Sequence, residues 1–427
     1  MRDKTAFLTS PATKLATLLL GTGLLFRWIV PRVGSPAEAF WLILPLSVLI
    51  GHFGLQLFPA PRLGAKSAFE RWASIFVLIA FPCGYYGFLV WATKSAWSWK
   101  ECFLALYFFG VSFEIALMYL FQAIETLHAR LSRGLSPGRA RVLFVCERLV
   151  LYAVLVPFLL VVFAVHRPKL MPTAIAFAPA QAVEFLSRDG RTALHGIFLK
   201  PANVRGTVLV CHGVGANHAD LSAIHELLFQ LGFQVLAFDF RGHGLSAGHT
   251  ITYGALERQD VLGAYDYCLS RSEMANHPLY ALGASMGGAI LVQALPEMPQ
   301  VQAVVLDSAF SDLPLMVEHQ FRYLPSCSRR ALTQVARGFA WLETGVDIAR
   351  ITPTTTIREV SIPILVIHGT ADWIVPPAHA QNLAAAGQNV HLHLEPNCPH
   401  ISMIAANPEG YARLLRSHLV PTSRVLF

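Results

Sequence analysis

The sequence predicts an α/β domain, a mostly parallel sheet flanked by helices and carrying a helical cap, preceded by an all-α transmembrane helical bundle. Three observations carry this expectation. Residues 1–170 contain five long apolar stretches. Residues 171–427 alternate short β-branched runs with amphipathic segments, as a sheet covered by helices requires. Within that second half, Gly283-Ala284-Ser285-Met286-Gly287 joins an apolar run to a helical one.

The apolar stretches lie near 14–30, 39–59, 73–93, 102–124 and 149–166. Most approach the roughly 20 residues that carry a helix across about 30 Å of hydrocarbon. Pro82 and Gly84 interrupt the third, which is read as one kinked span, since neighbouring helices satisfy the freed backbone groups. Composition agrees: 54% of the 427 residues are hydrophobic and only 14% charged, against about 25% in soluble domains. A disordered chain and a wholly soluble globule are both excluded. Charge is divided as sharply as hydropathy. Residues 1–170 hold 17 Lys and Arg against seven Asp and Glu, whereas 171–427 hold 16 against 19. The basic balance thus belongs to the membrane half, and no nucleic-acid partner follows from it.

Lys and Arg near the span ends predict the orientation. One side carries 11 of them, including the five arginines between 130 and 148, and the other carries five. The richer side is expected in the cytoplasm, which puts residues 171 onward outside it; the alternative leaves that second half on the cytoplasmic face, with 149–166 lying along the interface. Glu114, midway along the fourth stretch, is read as an acid that glues helices or serves transport. The seven cysteines are scattered, with no C-x-x-C pair and no metal spacing, so neither a disulfide framework nor a zinc site is expected.

After His166-Arg167-Pro168 the pattern changes. Strands are predicted at 183–187 and 193–199, with Asp189-Gly190 turning between them, then at 207–211, 234–240, 279–283, 303–306, 364–367 and 390–394. Helices are predicted at 219–230, 253–272, 286–295, 377–386 and 407–418. Between Asp307 and Pro363 lies helical material, 316–323 and 329–342, read as a cap over about 313–360. Phe310, Leu315, Phe321, Tyr323, Phe339 and Trp341 are candidates to line an acyl pocket or to pack the cap's own core.

The chemistry rests on three side chains. G-x-S-x-G at a strand-to-helix turn is a nucleophile elbow, in which glycines permit a crowded turn that lifts the serine hydroxyl above the sheet. Ser285 is therefore the candidate nucleophile. A hydroxyl needs a base, and the base needs an acid to orient it. Asp372 follows the strand at 364–367 and His400 follows the strand at 390–394. Both fall on loops leaving the C-terminal ends of strands, where open α/β sheets gather their sites. Asp307 and Asp312 are alternative acids. The Val214 and Met286 backbone N–H groups are the candidate oxyanion donors, the first from the loop after the strand at 207–211 and the second from the residue after the nucleophile. Asp239 and Arg241 are read as a structural turn, His391 and His393 as strand positions and Cys398 as packing.

At these residues the C-terminal 250 or so positions resemble the α/β-hydrolase superfamily, in its serine esterase and aminopeptidase-like branch. The matching marks are His212-Gly213 with Asn217, Phe238-Asp239-Phe240-Arg241-Gly242-His243-Gly244, the elbow, Gly369-Thr370-Ala371-Asp372 and His400. Cys398-Pro399 departs from the small residues common before the histidine. The resemblance implies a serine hydrolase that needs no metal or organic cofactor. The expected function is a membrane-anchored carboxylic-ester hydrolase acting on a small-molecule ester, lipid or peptide, with the lipid bilayer as its other partner. Peptidase or acyltransferase chemistry at the same triad, and a non-catalytic sensor or binding module on this fold, are the rivals.

Overall fold

The computed structural model describes residues 124–167 and 169–420, together with the backbone pairing of Ala96–Trp97 with Lys169–Leu170. The predicted spans at 14–30, 39–59, 73–93 and, up to residue 123, 102–124 lie outside the described residues, as does Glu114. Compact units divide at Leu149. In the first, His128 Nδ1 lies 2.8 Å from Glu147 Oε2 and Arg148 pairs with Glu125.

The second unit is built on eight strands: β1 (Gln181–Leu186), β2 (Ala193–Leu199), β3 (Gly206–Cys211), β4 (Phe233–Phe238), β5 (Leu279–Ala284), β6 (Val301–Asp307), β7 (Ile364–Gly369) and β8 (Val390–Glu395). Their order across the sheet is β8-β7-β6-β5-β3-β4-β2-β1. The six strands from β8 to β4 run parallel, and β2 and β1 close one edge antiparallel. The central strands read as unbroken apolar runs because both faces are covered. Every residue of β3, β4, β5 and β7 is buried, whereas the edge strand β1 alternates. Side chains of β3 divide by parity: Leu209 and Cys211 enter the core on one face, Val208 and Val210 the core on the other.

The helices follow from their apolar stripes. On the Leu209 face lie α3 (Arg258–Ser270), α4 (Met286–Ala294), α6 (Ser326–Thr344) and α8 (Ala378–Ala386), through Val261, Ile290, Ala336 and Leu383 among others. On the opposite face lie α2 (Ser222–Gln230) and α9 (Pro408–Leu419), through Ile224, Leu228, Tyr411 and Leu415. Leu228 and Leu415 are wholly buried, and truncating either to alanine is expected to cost about 2–5 kcal/mol. The insertion between β6 and β7 holds α5 (Leu313–Gln320), α6 and α7 (Pro353–Ile357).

The segment predicted as a span at 149–166 belongs to a longer helix, α1 (Pro137–Val165), of 29 residues. Proline at its first position and helix-favouring arginines in its first turns extend it back through the basic stretch. Its last turns pack against the sheet domain. Pro157, Val161, Val162 and Val165 are buried, and Val161 and Val165 join the core on the Leu209 face. Phe158 meets Phe339 of α6 edge-on at 5.3 Å. The Ile251 N–H donates to the Val165 carbonyl at 2.9 Å, and the Tyr253 hydroxyl to the Ala164 carbonyl at 3.1 Å. Val142, Val145, Leu149, Val150 and Val154 are exposed. Among the described residues, α1 is the helix long and apolar enough to cross a membrane.

Candidate active site

The elbow stands between β5 and α4. Ser285 takes φ 51° and ψ −120°, a conformation that an L-residue holds only when its surroundings enforce it. They do so by crowding. A Cβ at Gly287 would strike the carbonyl oxygens of Cys211 and His212, and one at Gly283 would lie 2.5 Å from the Gly288 Cα. Only glycine lets α4 start this close to β3. The Ser285 N–H donates to the Asp307 carbonyl at 2.8 Å, and the Ser285 carbonyl accepts the Gly288 and Ala289 N–H groups.

The other two residues arrive on loops that are laced together. The Thr370 N–H donates to the Glu395 carbonyl at 2.9 Å, the Asn397 N–H to the Thr370 hydroxyl at 2.8 Å, and the Ala371 N–H to the Cys398 carbonyl at 3.1 Å. The Cys398-Pro399 dipeptide is accommodated by positive φ at Asn397 and Ile401 on either side. The Ile401 N–H is pinned to the Ser308 hydroxyl at 3.1 Å.

These restraints bring all three candidates together. His400 Nε2 lies 3.0 Å from Ser285 Oγ, and His400 Nδ1 lies 2.6 Å from Asp372 Oδ2. Because a carboxylate only accepts, Nδ1 carries the proton and Nε2 presents its lone pair to the serine hydroxyl. Asp372 is saturated: Oδ1 accepts the Ile374 and Val375 N–H groups at 3.0 and 2.9 Å. Burial pushes the Asp372 carboxyl up, but hydrogen bonds from His368 and His400 outweigh it and bring it down to about 2.

His368 is the residue that sequence reasoning missed. Its Nε2 lies 2.8 Å from the Val375 carbonyl and 3.3 Å from Asp372 Oδ2. Both neighbours accept, so this nitrogen is the protonated one. The signal was present: a histidine ending the apolar run Ile364-Leu365-Val366-Ile367, four residues before the acid.

The alternative acids are engaged elsewhere. Asp307 accepts the Tyr411 hydroxyl and the Ser308 hydroxyl, each at 2.9 Å, and burial pushes its carboxyl up. Asp312 accepts the Thr354 hydroxyl at 2.6 Å. Asp239 and Arg241 shape the turn after β4. The Asp239 carboxylate accepts the His218 and Leu245 N–H groups at 2.6 and 2.9 Å, and Arg241 binds Asp260 through Nε and a terminal nitrogen. His393 lies 2.9 Å from Glu395. Cys398 is buried, and burial pushes its thiol up, away from thiolate character.

The loop after β3 that carries Val214 is fixed by His212. Its Nδ1–H donates to the Gly213 carbonyl at 2.7 Å, and its Nε2 accepts the Phe240 N–H at 3.0 Å. Burial holds this imidazole below its ordinary pKa, as the neutral tautomer in that pairing demands. Gly213 lies against Ser285, since a Cβ there would sit 3.3 Å from the Ser285 Cβ. Among the described residues no protein acceptor takes the Val214 or Met286 N–H. The six cap candidates do not converge on one pocket. Phe310 and Phe321 are buried, Phe339 packs on α1, Tyr323 is 86% exposed, and Leu315 and Trp341 are largely exposed.

The chain is similar to several known proteins. A family model described as serine aminopeptidase, S33, matches residues 202–352. The uncharacterized protein YfhR of Escherichia coli K12 is 30% identical over 230 residues, 52% of this chain and 74% of that protein. The lysophosphatidylserine lipase ABHD12 of Macaca fascicularis is 28% identical over 192 residues, covering 41% of this chain and 44% of that one. The Pyrococcus furiosus esterase Pf2001 covers 58% of this chain and 96% of its own, at 22% identity and a TM-score of 0.48. With YfhR matched at that identity over most of its length, the chain belongs to the α/β-hydrolase superfamily, in one family with that protein.

Proposed function

We propose that the protein is a membrane-anchored serine hydrolase whose reaction is carboxylic-ester hydrolysis. The observation that carries this reading is the hydrogen-bonded line from Ser285 Oγ to His400 Nε2 at 3.0 Å and from His400 Nδ1 to Asp372 at 2.6 Å. Ser285 Oγ attacks the ester carbonyl carbon while its proton passes to His400 Nε2. The tetrahedral oxyanion sits on the Val214 and Met286 N–H groups. Collapse breaks the bond to the leaving alcohol, which takes the proton from His400. Water, deprotonated by the same nitrogen, then attacks the acyl-enzyme, releases the acid and restores Ser285. Asp372 keeps the imidazole in the required tautomer throughout.

Two further considerations support ester chemistry. The relatives include a lysophosphatidylserine lipase. An apolar, net-basic first half would hold the domain where such esters are concentrated. A second reading, peptide hydrolysis, is favoured by the description of the matching family model.

The test is turnover of the full chain on p-nitrophenyl butyrate beside a set of aminoacyl p-nitroanilides, with fluorophosphonate labelling of Ser285. Ester turnover is expected, and Ser285→Ala should lower kcat by about a thousandfold or more while abolishing the label. Turnover of anilides with none of esters would overturn the ester reading. A Ser285→Ala variant that keeps both label and turnover would overturn the nucleophile.

A further inference from the structure

A cavity of about 840 Å³ lies on the Leu209 face of the sheet, away from the candidate triad. None of Ser285, Asp372 or His400 lines it. One wall is α6, which presents Gln334, Arg337, Gly338 and Trp341; the spacing of 3, 4 and 7 residues puts these on one helical face. The opposite wall is Gly254, Ala255 and Arg258 at the start of α3, with Gln293 of α4. Val346, Asp347, Arg350 and Ile351 close one end.

The charge in this groove is unbalanced. Among the described residues that line it, Arg258, Arg337 and Arg350 face one carboxylate, Asp347. That carboxylate is already bound to Arg337, with Nε and a terminal nitrogen at 2.6 and 2.7 Å, which fixes the guanidinium plane. Arg258 has only a loose pair with Glu297 at 3.5 Å, both side chains more than two-fifths exposed. Among the described residues no carboxylate lies within 4.0 Å of the Arg350 guanidinium. The wall opposite α6 is built rather than mobile: the buried Glu257 carboxylate accepts the N–H groups of Thr252 and Gly254 at 2.7 and 2.8 Å and the Thr252 hydroxyl at 2.6 Å.

Gly338 supplies an independent observation. It stands in the interior of the 19-residue helix α6, where glycine costs about 1 kcal/mol relative to alanine. Among the described residues nothing asks for it, because a Cβ there would meet none of their atoms within 4 Å. The space it leaves clear is the cavity itself. A residue that weakens its helix, relieves no contact and opens onto a groove lined by three arginines fits a place where a ligand approaches the backbone.

We propose that this groove binds a phosphate-bearing ligand, with Arg258 and Arg350 on the phosphate, Arg337 held by Asp347 as the third donor, and the ligand's remaining body over Gly338 against Trp341. Guanidinium forks match phosphate oxygens in geometry as well as charge. The phosphate could arrive on a soluble metabolite or on a lipid headgroup, and the two sources separate in the test.

The test is calorimetric titration of the full chain in lipid nanodiscs with glycerol 3-phosphate, beside titration in nanodiscs with and without dioleoyl phosphatidate. Saturable binding of glycerol 3-phosphate below about 1 mM, weakened by added salt, assigns a soluble ligand. Phosphatidate-dependent loss of that binding, or protection of the groove from it, assigns a headgroup. The double variant Arg258→Ala, Arg350→Ala should weaken binding at least about tenfold, the scale of one lost charge-assisted contact. Gly338→Leu should fill the groove and abolish binding with an unchanged or raised melting temperature, since leucine favours the helix. Neither variant should alter turnover of p-nitrophenyl butyrate. No interaction with either phosphate at about 10 mM, equal affinity for succinate, or binding indifferent to both variants would overturn the proposal.

Discussion

Two histidines share one carboxylate oxygen: His368 Nε2 lies 3.3 Å from Asp372 Oδ2, and His400 Nδ1 lies 2.6 Å from the same atom. His400 reaches onward to Ser285, whereas His368 is wholly buried and, among the described residues, reaches Asp372 and the Val375 carbonyl. Its geometry makes it a positioning residue. It fixes the rotamer of the acid and stabilises its charged form, which burial alone would disfavour.

Loss of that donor is expected to show in the pH profile as well as in rate. His368→Ala should lower kcat about tenfold, the equivalent of one hydrogen bond to a charged group. With His368 gone, Asp372 loses one of the hydrogen bonds that offset its burial, so its carboxyl rises from about 2. Activity should then fail at higher pH on the acid side than in the parent. His368→Gln, which keeps a donor, should restore part of both. A His368→Ala enzyme with the parental acid limb would show that His368 only packs.

The choice of acid is tested by a pair of substitutions. Asp372→Asn should cut kcat by about four orders of magnitude, because an amide that donates to His400 selects the wrong tautomer. Asp307→Asn should leave kcat within about tenfold and instead lower stability, because Asp307 accepts the Tyr411 and Ser308 hydroxyls beneath the loop that carries His400. Kinetics and melting temperature measured on both variants separate the two roles, and a reversed ranking would move the acid to the end of β6.

What could be read from sequence, and what could not, divides along the same line. Ser285, Asp372 and His400 were legible because each follows an apolar strand on a loop, and the fold brings such loops together. His368 was not, since its role depends on a side-chain direction that only the packed strand defines. Element ends slipped where a local signal went unused. The strand expected over 234–240 stops at Phe238, because the Asp239 carboxylate turns inward to collect backbone N–H groups. The cap helices begin at Leu313 and Ser326 rather than at 316 and 329, each with a proline beside its start. The helix α1 starts at Pro137, where proline marked a first helical position within the basic run.

Buried histidines whose imidazoles are held low, His225 with His243 and His379, should make the fold acid-sensitive, and His225 gives the cleanest test. His225, on α2, is wholly buried, and among the described residues neither ring nitrogen has a hydrogen-bond partner. Burial, with the nearby His218, pulls its imidazole down to about 3. An unfolded chain takes this proton as pH falls through about 6.5, whereas the folded chain does not until about 3. Its stability contribution is therefore complete above about 6.5 and is lost progressively below that. His225→Leu should raise the melting temperature at every pH, and should stabilise by about 2 kcal/mol more at pH 4.5 than at pH 8. Equal stabilisation at both values would mean that the imidazole already holds its proton in the folded protein.

The proposed membrane anchoring and its orientation can be tested with cysteines the chain already carries. Cys327 at the start of α6 and Cys146 in the basic stretch of α1 are exposed, while Cys211, Cys268 and Cys398 are buried. The five arginines between 130 and 148 resist translocation, whereas only Arg167 and Lys169 follow α1 closely. Cys146 is thus expected in the cytoplasm and Cys327 outside it. In a chain with Cys83 and Cys102 replaced by alanine, a membrane-impermeant maleimide applied to sealed cells should label Cys327 and spare Cys146. Permeabilisation should then expose Cys146, and Cys327→Ser should remove the first signal. The buried last turns of α1 sharpen this test, because Val161 and Val165 are fastened into the core of the sheet domain. Label on Cys146 alone in sealed cells would put the hydrolase unit on the cytoplasmic face and leave α1 lying along the interface.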